Sequence, residues 1–227
     1  MNILIVTATL AEIQPMLNAL NITANNAENI YKTTFHQHRV TILITGVGMV
    51  STAFQLGTFD AANVDMAINA GIAGSFTKDI PIGELVNVTT DCFSELGADF
   101  GEKFIPLNRL EFAKDLSESF FNEKGEIINP TTTTNLLING LKKVRGITVN
   151  TVNGEAIRIN KIKEIFNPEI ESMEGAAFFY ACMKMGLPCF QLRTISNYIE
   201  PRNLNNWNIP FAISNLNKHL LDIIAAF

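Results

Sequence analysis

The sequence of 227 residues contains few cysteines, few histidines and no excess of basic residues. Its three cysteines show no CxxC spacing, and their odd number argues against a disulfide framework and favours a reducing compartment. The three histidines have no metal-ligand spacing relative to these cysteines, so no metal site is predicted. Lysine and arginine number 17 against 22 acidic residues, without a basic cluster, which argues against nucleic acids and anionic membranes as partners.

The first residues of the sequence do not have the pattern of a signal peptide or of a membrane span. Its first ten residues have no basic region, and their apolar run is too short to span a bilayer, so we expect a cytoplasmic protein. No internal repeat, low-complexity linker or charge run divides the sequence. With 47% hydrophobic and 17% charged residues, the composition excludes a disordered chain or a coiled coil and favours extensive internal strands.

Short apolar runs alternate with helical patterns along the whole chain. Strands are predicted at Asn2–Thr7, Ile30–Phe35, Arg39–Thr45, Val64–Ala70, Ile82–Thr90, Ile147–Val152 and Cys189–Ile195. Helices are predicted from Leu10, over Val50–Asp60 and Asn108–Phe121, from Pro130 to near Gly146, and over Glu155–Phe166, Ala176–Met185 and Trp207–Phe227. This alternation predicts a single α/β domain over residues 1–227.

The segment Glu171–Asn203 combines a carboxylate at a helix start with an amide at a strand end. Glu174 precedes the apolar helix, which Gly186 and Pro188 terminate, and Asn197 follows the next strand. In an open α/β sheet, ligands bind where strands end and helices begin. The two side chains are therefore candidates for one site, although Glu174 alone could be a helix-start acid and Asn197 a turn residue.

Polar and small residues follow other predicted strands. Thr9 is a candidate cap for the first helix, and Glu12 falls in its first turn, where it could also simply complement the helix dipole. Gly46-Val47-Gly48 could cradle an anion or only form a tight turn, since neither GxGxxG spacing nor a P-loop lysine is present. The small residues of Gly71–Ser75 would let a flat ligand approach the backbone closely.

Five ordered segments resemble a known family. They lie at Glu12, Asn69–Phe76, Ile82–Val86, Ser172–Ala177 and Arg193–Asn197. Together they resemble the purine nucleosidase and phosphorylase superfamily, specifically its hydrolytic nucleosidases. Because they extend from one end of the chain to the other, the resemblance covers nearly all of it.

Within that superfamily, two segments resemble the futalosine hydrolase family of the menaquinone pathway: Glu95–Phe104 and Ile195–Asn203. The related methylthioadenosine/adenosylhomocysteine nucleosidases carry an aspartate where this chain has Asn197. An amide NH₂ donates permanently, and a 6-oxopurine offers two acceptors, N7 and O6. The residue difference therefore predicts hypoxanthine as the leaving base.

The resemblance implies a role for each candidate side chain. Glu12 would orient and deprotonate water, Glu174 would accept hydrogen bonds from the ribose hydroxyls, and Met173 would pack against the sugar. Asn197 would stabilise the departing base. Further substrate contacts would come from Ala73, Gly74 and Ser196. Arg193 is expected to pair with a carboxylate for structural reasons.

The resemblance also implies a three-layer fold, a mixed twisted sheet flanked by helices, and a small-molecule nucleoside substrate without a cofactor. Relatives complete their pockets with a loop from a second subunit, so we expect a homodimer or larger homo-oligomer, with Asp91–Phe104 as the loop. Leu10–Leu20 and Gly46–Asp60 contain no arginine or lysine, which favours water over phosphate as nucleophile. The alternatives are an adenine-releasing methylthioadenosine/adenosylhomocysteine nucleosidase and a non-catalytic nucleoside-binding protein.

Overall fold

The computed structural model describes residues 1–25, 29–101, 103–112, 120–201 and 206–227. Within these ranges the strands are β1 (Asn2–Thr7), β2 (Ile30–Phe35), β3 (His38–Ile44), β4 (Met66–Ser75), β5 (Leu85–Cys92), β6 (Gly97–Asp99), β7 (Phe104–Pro106), β8 (Glu126–Ile128), β9 (Lys142–Thr148), β10 (Ile170–Ser172) and β11 (Cys189–Tyr198). The α-helices are α1 (Leu10–Ala19), α2 (Met49–Thr58), α3 (Leu136–Asn139), α4 (Ala156–Phe166), α5 (Gly175–Met185) and α6 (Ile209–Ala225).

Nine of the described strands form a central sheet in the order β10-β9-β5-β11-β4-β1-β3-β2, with β8 paired to β5. The sheet is mixed: β1 is parallel to both β3 and β4, whereas β5 runs antiparallel to β11. Because β10 also pairs with β4, the strands β4, β11, β5, β9 and β10 close into a ring. The predicted mixed sheet flanked by helices is confirmed.

Helices cover both faces of this sheet. On one side, Ile3 and Ile5 of β1 join a core with residues of α1 and α6. On the other side, Leu4 and Val6 pack with residues of α2 and α5. A strand buried on both faces needs apolar residues at successive positions, which explains the unbroken first run of the sequence. None of the described helices has both the length and the hydrophobicity needed to cross a membrane.

The helix and strand predicted in the Glu171–Asn203 segment are both present. Gly186 ends α5 in the left-handed conformation, with φ of 63°. The strand continues beyond its predicted end to Tyr198, with an irregularity in register between Ile195 and Asn197. The side chain of Asn197 therefore projects from the last part of a strand and not from a turn.

Several predicted bounds were wrong. The strand expected at Ile147–Val152 is β9, which already begins at Lys142 and ends at Thr148. The helix expected from Pro130 to near Gly146 is only the four-residue α3, because the Asn135 side chain caps it and Gly140 ends it before β9 begins. The expected loop Asp91–Phe104 contains β6 and the first residue of β7, which form a small separate sheet. The helix expected over Asn108–Phe121 falls largely on residues 113–119, outside the described ranges.

Candidate active site

A cleft of about 280 Å³ lies near the carboxyl ends of β1, β4 and β11 and the starts of α1 and α5. These three strands are parallel neighbours, so their carboxyl ends meet at one edge of the sheet. All seven predicted site residues line the cleft: Glu12, Ala73, Gly74, Met173, Glu174, Ser196 and Asn197. The fold thus brings together residues separated by up to 185 positions in the sequence.

Glu12 is held at the wall of the cleft by the cap of α1. The Thr9 hydroxyl accepts a hydrogen bond from the Glu12 N–H (3.3 Å), while Glu12 Oε2 accepts from the Thr9 N–H (3.0 Å) and hydroxyl (2.9 Å). The other oxygen, Oε1, accepts from the Ile72 N–H of β4 at 3.2 Å. A capping box therefore fixes the carboxylate as well as the helix start.

The electrostatic surroundings make Glu12 a stronger base than an ordinary glutamate. Burial raises the pKa of Glu12, and the nearby charge of Glu174 raises it further. Arg193 and the hydrogen bonds from Ile72 and Thr9 lower the pKa, but burial has the largest effect and the net direction is upward. A raised pKa improves a carboxylate as a proton acceptor, which is the property that a general base needs.

Glu174 immediately precedes α5 and is buried beside the cleft. Its Oε1 accepts a hydrogen bond from the Gly48 N–H at 3.1 Å, and its Oε2 lies 3.5 Å from Arg193 Nη1. The glycine turn at the start of α2 thus donates to a carboxylate of the protein itself. This contact gives the turn a positioning role for Glu174.

Arg193 lies almost fully buried on β11, behind Glu174. Its Nη2 donates to Asn69 Oδ1, and its Nη1 faces the Glu174 carboxylate. Gly71 provides the space, because a Cβ at that position would lie 2.1 Å from Arg193 Nη1. A buried charge requires a partner, and the expected pairing of Arg193 with a carboxylate is confirmed.

The orientation of the Asn197 amide follows from its neighbours. Nδ2 donates to the Tyr198 carbonyl oxygen at 3.2 Å, and that oxygen can only accept. Oδ1 accepts from the Ser196 hydroxyl at 2.8 Å. Since an NH₂ group has two hydrogens, one N–H of Asn197 is left for a ligand in the cleft.

Gly74 leaves the space in which this amide sits. A Cβ there would lie 2.9 Å from Ile199 Cγ1 and 3.2 Å from Asn197 Nδ2, so a larger residue would displace the amide. The segment Ile195–Asn203, which resembles futalosine hydrolases, ends with the four residues Glu200–Asn203 as its continuation beyond the strand. In this continuation, Glu200 accepts a hydrogen bond from Asn206 at 2.6 Å. The last two residues of that continuation lie outside the described ranges.

The remaining walls of the cleft are largely apolar. They include Val47, Val152, Trp207, Ile209 and Ile213. Val152 belongs to the segment between β9 and α4. In the described part of the chain, no group of three or more His, Cys, Asp or Glu side chains is arranged to hold a metal ion.

A sequence profile of the phosphorylase superfamily matches residues 2–227. The chain belongs to this superfamily. The match spans nearly the whole chain, and it confirms the family resemblance that the five short segments predicted.

The chain is similar to several individual members of this superfamily. Futalosine hydrolase of Thermus thermophilus is 29% identical over 185 residues, covering 81% of this chain and 80% of that protein. An aminodeoxyfutalosine nucleosidase of Campylobacter jejuni is 26% identical, covering 87% and 86%. The structure of Helicobacter pylori 5′-methylthioadenosine/S-adenosylhomocysteine nucleosidase with butyl-thio-DADMe-Immucillin-A has a TM-score of 0.78 at 19% identity, covering 100% and 98%. The relatives support the predicted likeness to futalosine hydrolases, and the structural match shows the shared fold.

A buried polar cluster around Asp91 lies behind the cleft of this protein, and the sequence did not predict it. Asp91 of β5 is fully buried and accepts hydrogen bonds from the Cys92 N–H (2.8 Å), the Thr148 hydroxyl (2.9 Å) and Gln191 Nε2 (3.0 Å). The Thr148 hydroxyl in turn accepts from the Ala176 N–H at 2.7 Å. Three strands thus hold the first turn of α5, directly after Glu174. A single Asp91 between strand residues gives no sequence signal of this role.

We expect the Asp91 carboxyl to make stability depend on pH. Burial raises its pKa from 3.8 to about 6, so its contribution is greatest below pH 4 and is lost as the pH rises through 6. The amide introduced by the Asp91→Asn substitution does not titrate. The free energy of unfolding of the wild type minus that of the variant should therefore fall by roughly 2 kcal/mol between pH 4 and pH 7.

Urea unfolding of both proteins across this pH range measures the difference. Asp60→Asn, at an exposed position, controls for the change in net charge. A difference between wild type and Asp91→Asn that stays constant with pH would contradict the raised pKa.

Proposed function

We propose that this protein hydrolyses the N-glycosidic bond of futalosine, giving hypoxanthine and dehypoxanthine futalosine. The observation that carries the proposal is the convergence of two buried carboxylates, Glu12 and Glu174, with the amide of Asn197 in one cleft. The similarity to futalosine hydrolase of Thermus thermophilus and to the aminodeoxyfutalosine nucleosidase of Campylobacter jejuni supports it. We further propose that residues 1–227 form one nucleosidase domain.

Glu12 acts on the water nucleophile. Its carboxylate is fixed by three donors on two elements and has a raised pKa, so it can orient a water molecule and accept its proton. As the bond from ribose C1′ to N9 of the base breaks, positive charge develops on the sugar. The negative charge of the carboxylates favours this transition state over the ground state.

Glu174 and Met173 hold the sugar. A carboxylate accepts strong hydrogen bonds from vicinal hydroxyls, and the contacts to Gly48 and Arg193 keep that of Glu174 in one orientation. Met173 contributes an apolar surface beside it. Binding of the ribose thereby positions C1′ relative to the water held by Glu12.

Asn197 serves the leaving base. Its free N–H can donate to N7 or O6 of a 6-oxopurine, which stabilises the base as negative charge moves onto it. The base leaves as an anion and becomes neutral hypoxanthine by taking up a proton, which balances the proton that Glu12 removes from water. Ser196 orients the amide by donating to its oxygen. Ala73 and Gly74 allow the flat ring to approach the backbone of β4.

Water is favoured over phosphate as the nucleophile. None of the described residues lining the cleft is a lysine or arginine. Arg193, the cation behind the cleft, is paired with Glu174 and almost fully buried. A phosphate dianion next to two carboxylates would lack the positive charge that it needs.

The assay that tests the proposal is incubation of the purified protein with futalosine. Hypoxanthine and a free sugar product should be released at the same rate with and without phosphate, as followed by chromatography. No hypoxanthine release would refute the proposal, and adenine release from methylthioadenosine at a higher rate would favour the alternative nucleosidase.

Replacement of Asn197 by aspartate should change the choice of base. A protonated aspartate can donate to N7 while its other oxygen accepts from an exocyclic amine, so we expect kcat/KM for aminodeoxyfutalosine to rise relative to futalosine. One hydrogen bond to a buried polar group is worth about 1–3 kcal/mol, which corresponds to a change of roughly 5- to 150-fold in the ratio. An unchanged ratio of the two kcat/KM values would show that Asn197 does not determine which base is accepted.

We also propose that the protein acts in the cytoplasm, in menaquinone biosynthesis, as a homodimer or larger homo-oligomer. The pathway follows from the proposed substrate. Self-association is supported by exposed apolar side chains on α2, next to the cleft, including Val50 and Phe54 with 81% and 64% exposure. Large exposed apolar side chains grouped on a surface are typical of protein interfaces.

A further inference from the structure

Glu171, Gly74 and Asn197 form one row across three neighbouring strands. Gly74 of β4 is in register with Glu171 of β10 on one side and with Asn197 of β11 on the other. Two strand spacings separate the outer residues, so their Cα atoms are about 10 Å apart. All three residues line the cleft, and the central one has no side chain. A flat ring above Gly74 would have a carboxylate at one edge and an amide at the other.

Glu171 is a buried carboxylate that the mechanism above does not use. Its Oε1 accepts from the Asn153 N–H at 3.3 Å, and its Oε2 accepts from Asn153 Nδ2 at 2.8 Å. An ionised carboxylate has about four acceptor positions, so two remain after these bonds. The hydrogen bonds from Asn153 therefore fix the orientation of the Glu171 carboxylate and leave two acceptor positions for a ligand.

The edges of purines differ in what they offer to such a row. A 6-oxopurine presents acceptors at N7 and O6 and a donor at N1–H. Adenine presents an acceptor at N1 and a donor at its amino group. A carboxylate facing N1 therefore attracts the 6-oxopurine and repels adenine, because a buried acceptor opposite an acceptor leaves both unsatisfied.

We propose that Glu171 is a specificity residue that accepts a hydrogen bond from N1–H of the base, opposite Asn197 at N7 and O6. This inference deepens the proposed function and rests on it for the identity of the nucleoside. Asn153 is the positioning residue for Glu171. The selectivity for the 6-oxo base then depends on two side chains, of which Asn197 alone was found from the sequence.

The Glu171→Gln variant tests the proposal. Glutamine has one acceptor oxygen and no charge, and its NH₂ can donate to N1 of adenine. We expect the ratio of kcat/KM for futalosine to that for aminodeoxyfutalosine to fall at least about ten-fold, the effect of a hydrogen bond to a charged group. A variant that loses activity equally on both substrates would overturn the proposal.

The matched control is Glu169→Gln, which makes the same chemical change two positions earlier in the chain. Glu169 Oε2 accepts from the Arg145 N–H at 2.9 Å, so it ties the residue before β10 to β9 without lining the cleft. If Glu171 acts only by holding this part of the chain in place, both variants should change the substrate ratio alike. We expect the ratio of Glu169→Gln to equal that of the wild type.

Binding of free bases separates this inference from the proposed function. By calorimetry, the wild type should bind hypoxanthine at least about ten-fold more tightly than adenine or 1-methylhypoxanthine, and Glu171→Gln should reduce this preference. Equal affinities in the wild type would overturn the role of Glu171 even if the variant did not fold. Failure to hydrolyse futalosine, with the base preference intact, would refute only the identity of the nucleoside.

Discussion

Replacing Glu12 with glutamine is expected to lower kcat on futalosine by about 10³-fold, within the range that general acid–base catalysis contributes. Glutamine has nearly the same shape and can still accept from the Ile72 N–H, but it cannot take a proton from water. Binding of hypoxanthine should change little, since the proposed contacts to the base come from Asn197 and Glu171 and not from Glu12. Single-turnover kinetics and calorimetry on the same preparation measure the two quantities.

Glu164→Gln makes the same chemical change on the exposed face of α4 and serves as the control. Its kcat should equal that of the wild type. Persistent turnover in Glu12→Gln would show that another group activates the water. Loss of base binding together with turnover would instead indicate that the cleft had been distorted.

Replacing Glu174 with glutamine is expected to lower kcat/KM by roughly 10²- to 10³-fold, the cost of losing one preorganised electrostatic group. The change removes the charge that is proposed to accept hydrogen bonds from the ribose hydroxyls. It also removes the negative charge that raises the pKa of Glu12, so the acidic limb of the remaining activity should move to lower pH. A pH profile of kcat/KM measures both effects, and an unmoved acidic limb would contradict the coupling of the two carboxylates.

The same change leaves Arg193 buried without its carboxylate, and breaking a buried pair typically costs about 3–5 kcal/mol of stability. The double variant Glu174→Gln/Arg193→Met separates stability from catalysis, because it removes both charges. We expect it to recover part of the free energy of unfolding but none of the activity. Recovered activity would mean that Glu174 acts only through Arg193.

The sequence predicted the site better than it predicted the elements around it. Glu12 and Glu174 lie at helix starts and Asn197 lies near the end of β11, so the ends of apolar runs mark their positions, while the family resemblance implied their roles. The short α3 shows the limit. The helical pattern of Leu136–Leu141 does form a helix, but Gly140 ends it after one turn. The β-branched residues that follow belong instead to β9, which pairs with β5 and β10.

Long-range pairing also explains what was missed in the site. Glu171 reaches the cleft because β10 pairs with β4 as well as β9, and its register with Gly74 depends on contacts across about one hundred residues. Asp91 acts through strand residues that lie 57 and 100 positions away in the sequence, Thr148 and Gln191. Glu171 directly precedes the Ser172–Ala177 segment of the family resemblance, but nothing in the local sequence of either residue marks its role, since the relevant neighbours come from other strands.

The central claim is that this protein cleaves a 6-oxopurine nucleoside with water. Steady-state kinetics of the wild type on futalosine and aminodeoxyfutalosine, which differ only in carrying a 6-oxo or a 6-amino base, test it most directly. The geometry of Asn197 and Glu171 predicts a kcat/KM at least about ten-fold higher for futalosine. Equal values, or a higher value for the amino substrate, would contradict it.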